Sequence, residues 1–212
     1  NRLHRNYQDD ISLHYYLLAS KDGITIGKRY FKHENNKEDY PFSPSGHNLY
    51  DNNSKLYYCR DFDNIVYQIH EDSVVPRFRI NLPNPLPASM IEERPNEMSL
   101  LRSGYSLGIT DIYEYGGLLF FRFVKDGYIW SCLYNVEESK QVYCAKRIKF
   151  LDSSLIDTID GIYKDCFYSI LTPEYLDYAF SENPLEDYPD LFKTYDVEGD
   201  NPVIAFYRAV VR

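Results

Sequence analysis

No run of about 18 consecutive apolar residues occurs in the 212-residue chain, so no segment is built to cross a bilayer as a single helix. The N-terminus also lacks the apolar stretch of a signal peptide, and the chain begins with Asn1, so a processed or trimmed product is expected. Cysteine is scarce: Cys59, Cys132, Cys144 and Cys166 form no C-x-x-C pair and lie at no ligand spacing from a histidine, which argues against zinc. The five histidines (His4, His14, His33, His47 and His70) are scattered, with no H-E-x-x-H pairing. Phosphate-binding glycine loops and the G-x-S-x-G nucleophile turn are missing too. Together these absences lower the expectation of an enzyme, and no metal or cofactor is expected.

Positive charge is also in deficit. Lys and Arg number 23 against 32 Asp and Glu, giving a net charge of −9. A field of that sign repels phosphate backbones, so nucleic acid is not an expected partner. The basic clusters Lys28-Arg29 and Lys146-Arg147, with Lys149, sit in alternating segments and read as solvated strand faces.

Tyrosine is abundant, with 22 in the chain. Its ring favours strands and half-wet surfaces, and the pattern around these residues is alternation of period two. His14 to Ala19 and Ile24 to Phe31 read as strands flanking a Lys21-Asp22-Gly23 turn. Further strands are expected at 55–60, 65–69 and 74–82, the last carrying Pro76 and so placed at an edge or a strand start. A Pro-punctuated break at 83–103 predicts a loop with one or two helical turns capped by Ser89. Strands resume at 105–115, 118–124, 128–134, 141–150, 156–163, 166–171 and 203–211. The acidic, aromatic stretch 173–195 predicts an insertion with short helices.

These strands fall into groups separated by segments such as Ser43-Pro44-Ser45-Gly46-His47 and Asp152-Ser153-Ser154. A unit of four short antiparallel strands repeated along a chain is the signature of a propeller blade. The expected fold is therefore all-β: one propeller region over 1–212, with a partial blade at 1–47 and blades at 48–104, 105–155 and 156–212. Closed propellers hold about four to eight blades. Three and part of another leave open sheet edges, which invite pairing with a missing N-terminal half or another chain.

Cys132 and Cys144 lie symmetrically about residue 138, at the turn of an expected hairpin. A cross-strand disulfide is open to them if they occupy a close, non-hydrogen-bonded pair. Two buried free thiols are the expectation preferred here.

Tyr57-Tyr58-Cys59-Arg60-Asp61-Phe62-Asp63-Asn64-Ile65-Val66-Tyr67-Gln68-Ile69 resembles the YYRDFDNTIYxI phrase of six-bladed β-propeller proteins abundant in Bacteroides and relatives. Gly199-Asp200-Asn201-Pro202-Val203-Ile204-Ala205-Phe206-Tyr207-Arg208 is similar to the closing NPVLVLYKLK-type strand of that family. The resemblance covers most of the chain and corresponds to the C-terminal half of the usual family length. It implies a six-bladed ring in the cell envelope, at the periplasm or outer-membrane surface, with a lipid anchor on the precursor. It implies no catalytic residues.

Four residues stand out as candidate ligand contacts: Arg60, Asp61 and Asp63 in the family-like phrase, and Trp130. The first three could point polar groups into a central channel or onto a sugar. The competing reading is structural, since an Asp-x-Asp-Asn turn caps its own backbone and pairs with a neighbouring Arg. Trp130 is expected as core before platform. Glu92, Glu93 and Glu97 are expected on a solvated helix face, and Glu182 to Asp190 lacks the spaced ligands of an EF-hand. The function expected from the sequence is a non-catalytic binding or scaffold module of the envelope, for carbohydrate or peptide. The alternative is a glycan hydrolase or lyase with its site at the central funnel of the complete ring.

Overall fold

The computed structural model describes residues 15–21, 26–32, 48–93, 95–146, 148–150, 154–156, 159–182, 195–196, 199 and 201–208. Two compact units divide the chain, Asn1–Phe42 and Ser43–Arg212. In the first, β1 (Tyr15–Ser20) and β2 (Ile26–Lys32) form an antiparallel hairpin, Leu17 opposite Tyr30, with a bulge between Ala19 and Ser20. The Asp22-Gly23 turn that would join them, and the Ser43–His47 break, lie outside the described residues.

The second unit is built from antiparallel sheets whose strands follow chain order. β3 (Leu49–Asn52), β4 (Lys55–Cys59), β5 (Ile65–Ile69) and β6 (Val74–Arg79) make the first four-stranded sheet. β7 (Ser106–Tyr115), β8 (Leu118–Lys125), β9 (Tyr128–Asn135) and β10 (Lys140–Ala145) make the second. Turns carried by left-handed residues, Gly116 with Gly117 and Asp126 with Gly127, close its hairpins. The third blade-like sheet has three strands: β13 (Gly161–Tyr163), β14 (Cys166–Leu171) and β15 (Val203–Tyr207). This is a fold of meandering blades, all-β with short helical excursions.

The strand expected over 141–150 is broken: β10 ends at Ala145, and β11 (Ile148–Phe150) pairs with β12 (Ser154–Ile156) as a separate hairpin. The 156–163 strand likewise splits, with β13 starting at Gly161. Between the first two sheets lie α1 (Ala88–Glu92) and α2 (Glu97–Leu101). Ser89 does not cap α1. Pro87, with its fixed φ of −66°, caps the helix two residues earlier, and Ser89 sits inside it. Asn96 does cap α2, its side chain accepting from the Ser99 amide at 2.9 Å. α3 (Pro173–Glu182) buries Leu176 and Ala179, and the rest of the expected insertion, 183–194, lies outside the described residues.

The core is a shared inter-sheet cluster. Tyr50, Tyr57, Cys59 and Val66 of the first sheet meet Ile109, Ile112, Tyr113 and Phe120 of the second, and Phe167 of the third joins them. Alternation explains the choice: Tyr50, Tyr57 and Cys59 share one sheet face, while Leu49 and Leu56 point the other way and are exposed. β7 differs, being buried continuously from Ser106 to Tyr113, as a strand covered on both faces must be.

Candidate functional site

The family-like phrase forms a self-satisfied joint. Arg60 donates to Asp63 Oδ2 through Nε (3.0 Å) and a terminal nitrogen (2.7 Å). Asp63 Oδ1 accepts from the amides of Asn64 (2.7 Å) and Ile65 (3.1 Å). Phe62 takes a left-handed φ of 61°, and its backbone presses on Gly108, where an added Cβ would meet it at 2.8 Å. Ile109 N–H donates to the Asp63 carbonyl, tying the turn to β7. Burial, with Asp63 and Asp61 nearby, pushes the Cys59 thiol well above its usual range, so it stays protonated. Asp61, half-buried in the same turn, is held beside this joint. Trp130 stacks on Phe123 (centroids 6.2 Å apart), and the Lys146 ammonium lies 5.8 Å from its ring centroid.

Cys132 and Cys144 are bonded, which corrects the expectation of free thiols. β9 and β10 place them directly opposite, with Cα atoms 4.1 Å apart and sulfurs at 2.06 Å. A bulge between Gln141 and Tyr143 slips the register by one, and that slip aligns the two residues. Cys59 and Cys166 are free thiols.

A second polar constellation joins the first two sheets. Glu114 of β7 accepts from Tyr57 Oη and from Lys55 Nζ (3.2 Å) at one oxygen, and from Arg77 (2.9 Å) at the other. Its amide donates to Asn52 Oδ1 at 2.6 Å, and Asn52 Nδ2 donates to the Ile112 carbonyl at 3.0 Å. Burial pushes the carboxyl up, but the donors from Tyr57, Arg77 and Lys55 outweigh it and hold Glu114 below the usual carboxylate range. The same burial and carboxylate push the Tyr57 phenol upwards. Such a group is a fixed anion and a brace.

A concave feature lies elsewhere, where β3, β7 and β13 approach one another. A cleft of about 300 Å³ is lined by Leu49, Tyr50, Asp51 and Asn53 from the first sheet, Tyr113 from the second, and Asp160, Gly161, Ile162 and Tyr168 from the third. Tyr50 and Tyr113 meet edge to face at 6.2 Å and are buried. Tyr113 Oη donates to the Asp160 carbonyl at 3.0 Å, and Asn53 Nδ2 reaches the Lys164 carbonyl at 3.3 Å, so the sheets are tied across it. Asp160 Oδ2 accepts from the Ile170 amide at 2.7 Å, which fixes that carboxylate. A Cβ at Gly161 would stand 2.7 Å from the Tyr168 ring, so a larger residue there would displace that side chain.

A family model described as a 6-bladed beta-propeller matches residues 3–154. The chain belongs to that family. A crystal structure titled as a "Putative exported protein" from Bacteroides fragilis matches this propeller with a TM-score of 0.67 at 15% identity. That alignment covers 94% of this chain but 59% of the other, so the chain spans about three fifths of the length of the structure it resembles. No curated protein matches it.

The cleft sits beside β3, β7 and β13, with Tyr168 contributed by β14. None of Arg60, Asp61, Asp63 and Trp130 lines it. Its own residues, Asp51, Tyr113, Asp160 and Tyr168 above all, were missed in the sequence. Tyr50 stands second in β3 and Tyr113 near the end of β7, so their positions in the two strands give no shared signal. Asp160 precedes a three-residue strand that carries too short a pattern to read. Chemically the cleft offers tyrosine rings, hydroxyl and carboxylate acceptors and an amide, and among the described residues no Lys or Arg lines it.

Proposed function

We propose that this propeller is a non-catalytic binding module of the bacterial cell envelope that holds a carbohydrate in the inner-strand cleft. The carrying observation is the lining: the half-buried Tyr168 ring beside the Asp51 and Asp160 carboxylates in one concave site. Sugar rings stack their C–H faces on aromatic rings and offer hydroxyl donors to carboxylates, so that composition suits them. The absence of Lys and Arg among the described lining residues and the net charge of −9 disfavour sulfated or uronate-rich glycans. Periplasmic or outer-surface placement is supported by the likeness to a structure titled as exported.

The test is a glycan array followed by calorimetry on any hit, with Asp51→Asn and Tyr168→Ala alongside. We expect binding to neutral glycans, weakened about tenfold by Tyr168→Ala, the scale of one lost stacking contact. Silence across neutral glycans with capture of peptides would replace carbohydrate by peptide as the ligand. Cleavage of a bound glycan would replace the module by an enzyme.

A further inference from the structure

The disulfide lies where the register of the second sheet is open to change. β10 ends that sheet and, among the described strands, pairs with β9 alone. Its start is fixed. Asn135 Oδ1 accepts from the amides of Glu137 (3.1 Å) and Glu138 (3.0 Å), and Lys140 and Gln141 pair with Asn135 and Tyr134. Past Gln141 the bulge inserts Val142 as an extra residue, so that Tyr143 faces Leu133, Cys144 faces Cys132 and Ala145 faces Ser131. Without the bulge Val142 would face Leu133, Tyr143 would face Cys132 and Cys144 would face Ser131. Directly opposed residues share a sheet face and the side-chain period is two. That single step therefore turns Tyr143 to Lys146 over to the other face.

Two contacts belong to the bulged register. One is the Cys132–Cys144 bond itself, which needs both residues on one face. The other is Lys146, whose ammonium lies 3.5 Å from the Tyr128 ring centroid and 5.8 Å from that of Trp130. Tyr128, Trp130 and Cys132 share that face by alternation. An exposed cation–π contact is weak, so the covalent bond is the stronger hold on the bulge. The straight register seats small or apolar side chains in place of those that leave: Val142 beside Leu133, and Cys144 where Ala145 stood beside Ser131. Lys146 would stand beside Ile129, which is 49% exposed, so its ammonium stays in water.

We infer that the Cys132–Cys144 bond is a redox-sensitive register lock: a dithiol reductant that opens it lets β10 straighten by one residue beyond Gln141, carrying Lys146 off the Tyr128 and Trp130 rings to the opposite face. Cys144 is half-buried and Cys132 buried, so the reductant's thiolate attacks the Cys144 sulfur. The S–S bond breaks, its electron pair leaves on Cys132 Sγ, and that sulfur takes up a proton. The reductant's second thiolate then displaces Cys144, which is protonated in turn, leaving two protein thiols and the oxidised, cyclic reductant. The inference concerns the outer edge of the second sheet and does not depend on the carbohydrate reading of the cleft.

The test applies dithiothreitol to the 212-residue chain and reads the pairing of β9 with β10 from inter-strand NOEs. The oxidised protein should pair Cys144 with Cys132. The reduced protein should pair Cys144 with Ser131 and Tyr143 with Cys132, lose the contact between Lys146 and the Tyr128 ring, and revert on reoxidation. A trap for the straight register combines Ser131→Cys with Cys132→Ser, which places a thiol opposite Cys144 only after the shift. In a glutathione redox buffer most molecules should bond position 131 to 144, as read by peptide mapping. If that variant does not fold, the NOEs of the wild-type chain decide. Three results overturn the inference: bulged pairing that survives reduction, loss of all contacts between β9 and β10 past Gln141, or a folded trap variant that forms no 131–144 bond.

Discussion

Removing the Glu114 carboxylate should loosen the joint between the first two blades by a predictable amount. Tyr57 is wholly buried, and its hydroxyl donates to Glu114. A hydrogen bond to a charged group contributes about 1.5–3 kcal/mol, and leaving a buried partner unsatisfied costs a similar amount. Lys55 and Arg77 have side chains 40% and 39% exposed, so their attraction to Glu114 is screened and adds at most about 1 kcal/mol each. Glu114→Ala should therefore destabilise the protein by about 3 kcal/mol, whereas Glu114→Gln, which keeps an acceptor for Tyr57, should cost about 1 kcal/mol. At about 2–4 °C per kcal/mol for a chain of this size, the Tm falls by about 6–12 °C and 2–4 °C respectively. A double-mutant cycle with Tyr57→Phe isolates the central bond, with an expected coupling of about 1.5–3 kcal/mol. Since folding lowers the Glu114 pKa below its ordinary 4.5, its stabilisation is complete above that value and is lost as pH falls through the lower folded value. The wild type should consequently lose its advantage over Glu114→Gln on acidification below about pH 4.5. Glu114→Ala melting within 2 °C of wild type, or an advantage that grows in acid, would refute this account.

Gly108→Ala should be among the most damaging single changes. It combines φ +99° with a Cβ 2.8 Å from the Phe62 backbone, and strain plus overpacking cost about 3 kcal/mol, read by urea denaturation. Unreduced, unfolded protein should take up iodoacetamide at two cysteines, Cys59 and Cys166, and reduction should lower stability by about 3 kcal/mol for a closed loop of this length. Peptide mapping and a melt in reductant check both. Asp111→Ala removes the carboxylate that bonds the Arg122 guanidinium at 2.7 Å where the two side chains are 10% and 14% exposed, and should cost about 3 kcal/mol by chemical denaturation.

Strands were legible where alternation ran long. The eight- and ten-residue strands of the second sheet, bounded by Gly116-Gly117 and Asp126-Gly127, fall where pattern and turn chemistry place them. Short strands were not: β12 and β13 hold three residues each, fewer than two periods of any pattern, so they merged into one expected strand. The disulfide escaped for a related reason. Symmetry about residue 138 was visible, but the bulge at Gln141–Tyr143 that sets the register is a tertiary choice. The cleft residues come from three blades and are separated by up to 119 positions from Leu49 to Tyr168, so periodicity carries no trace of their meeting.

The family-like phrase has an architectural role that its composition half conceals. Arg60, Asp61 and Asp63 look like a binding cluster because they concentrate charge. Yet the Asp63 carboxylate accepts four hydrogen bonds from three residues inside the turn, and its carbonyl accepts the Ile109 amide of the next blade. Asn64 accepts the Ile80 amide at 2.9 Å, binding the far end of the same sheet to the turn. Phe62 adopts a left-handed backbone so that the chain can lie flat on Gly108. The phrase thus fixes the offset between consecutive first strands, β3 and β7, by backbone contacts that tolerate no substitution at Gly108. That offset determines whether Tyr50 and Tyr113 meet edge to face at the floor of the cleft. Charge at the turn therefore acts on the candidate site at a distance, through blade geometry. Arg60→Ala should accordingly weaken ligand capture in the cleft together with stability, while Asp51→Asn should weaken capture alone; equal Tm losses in both would sever the link.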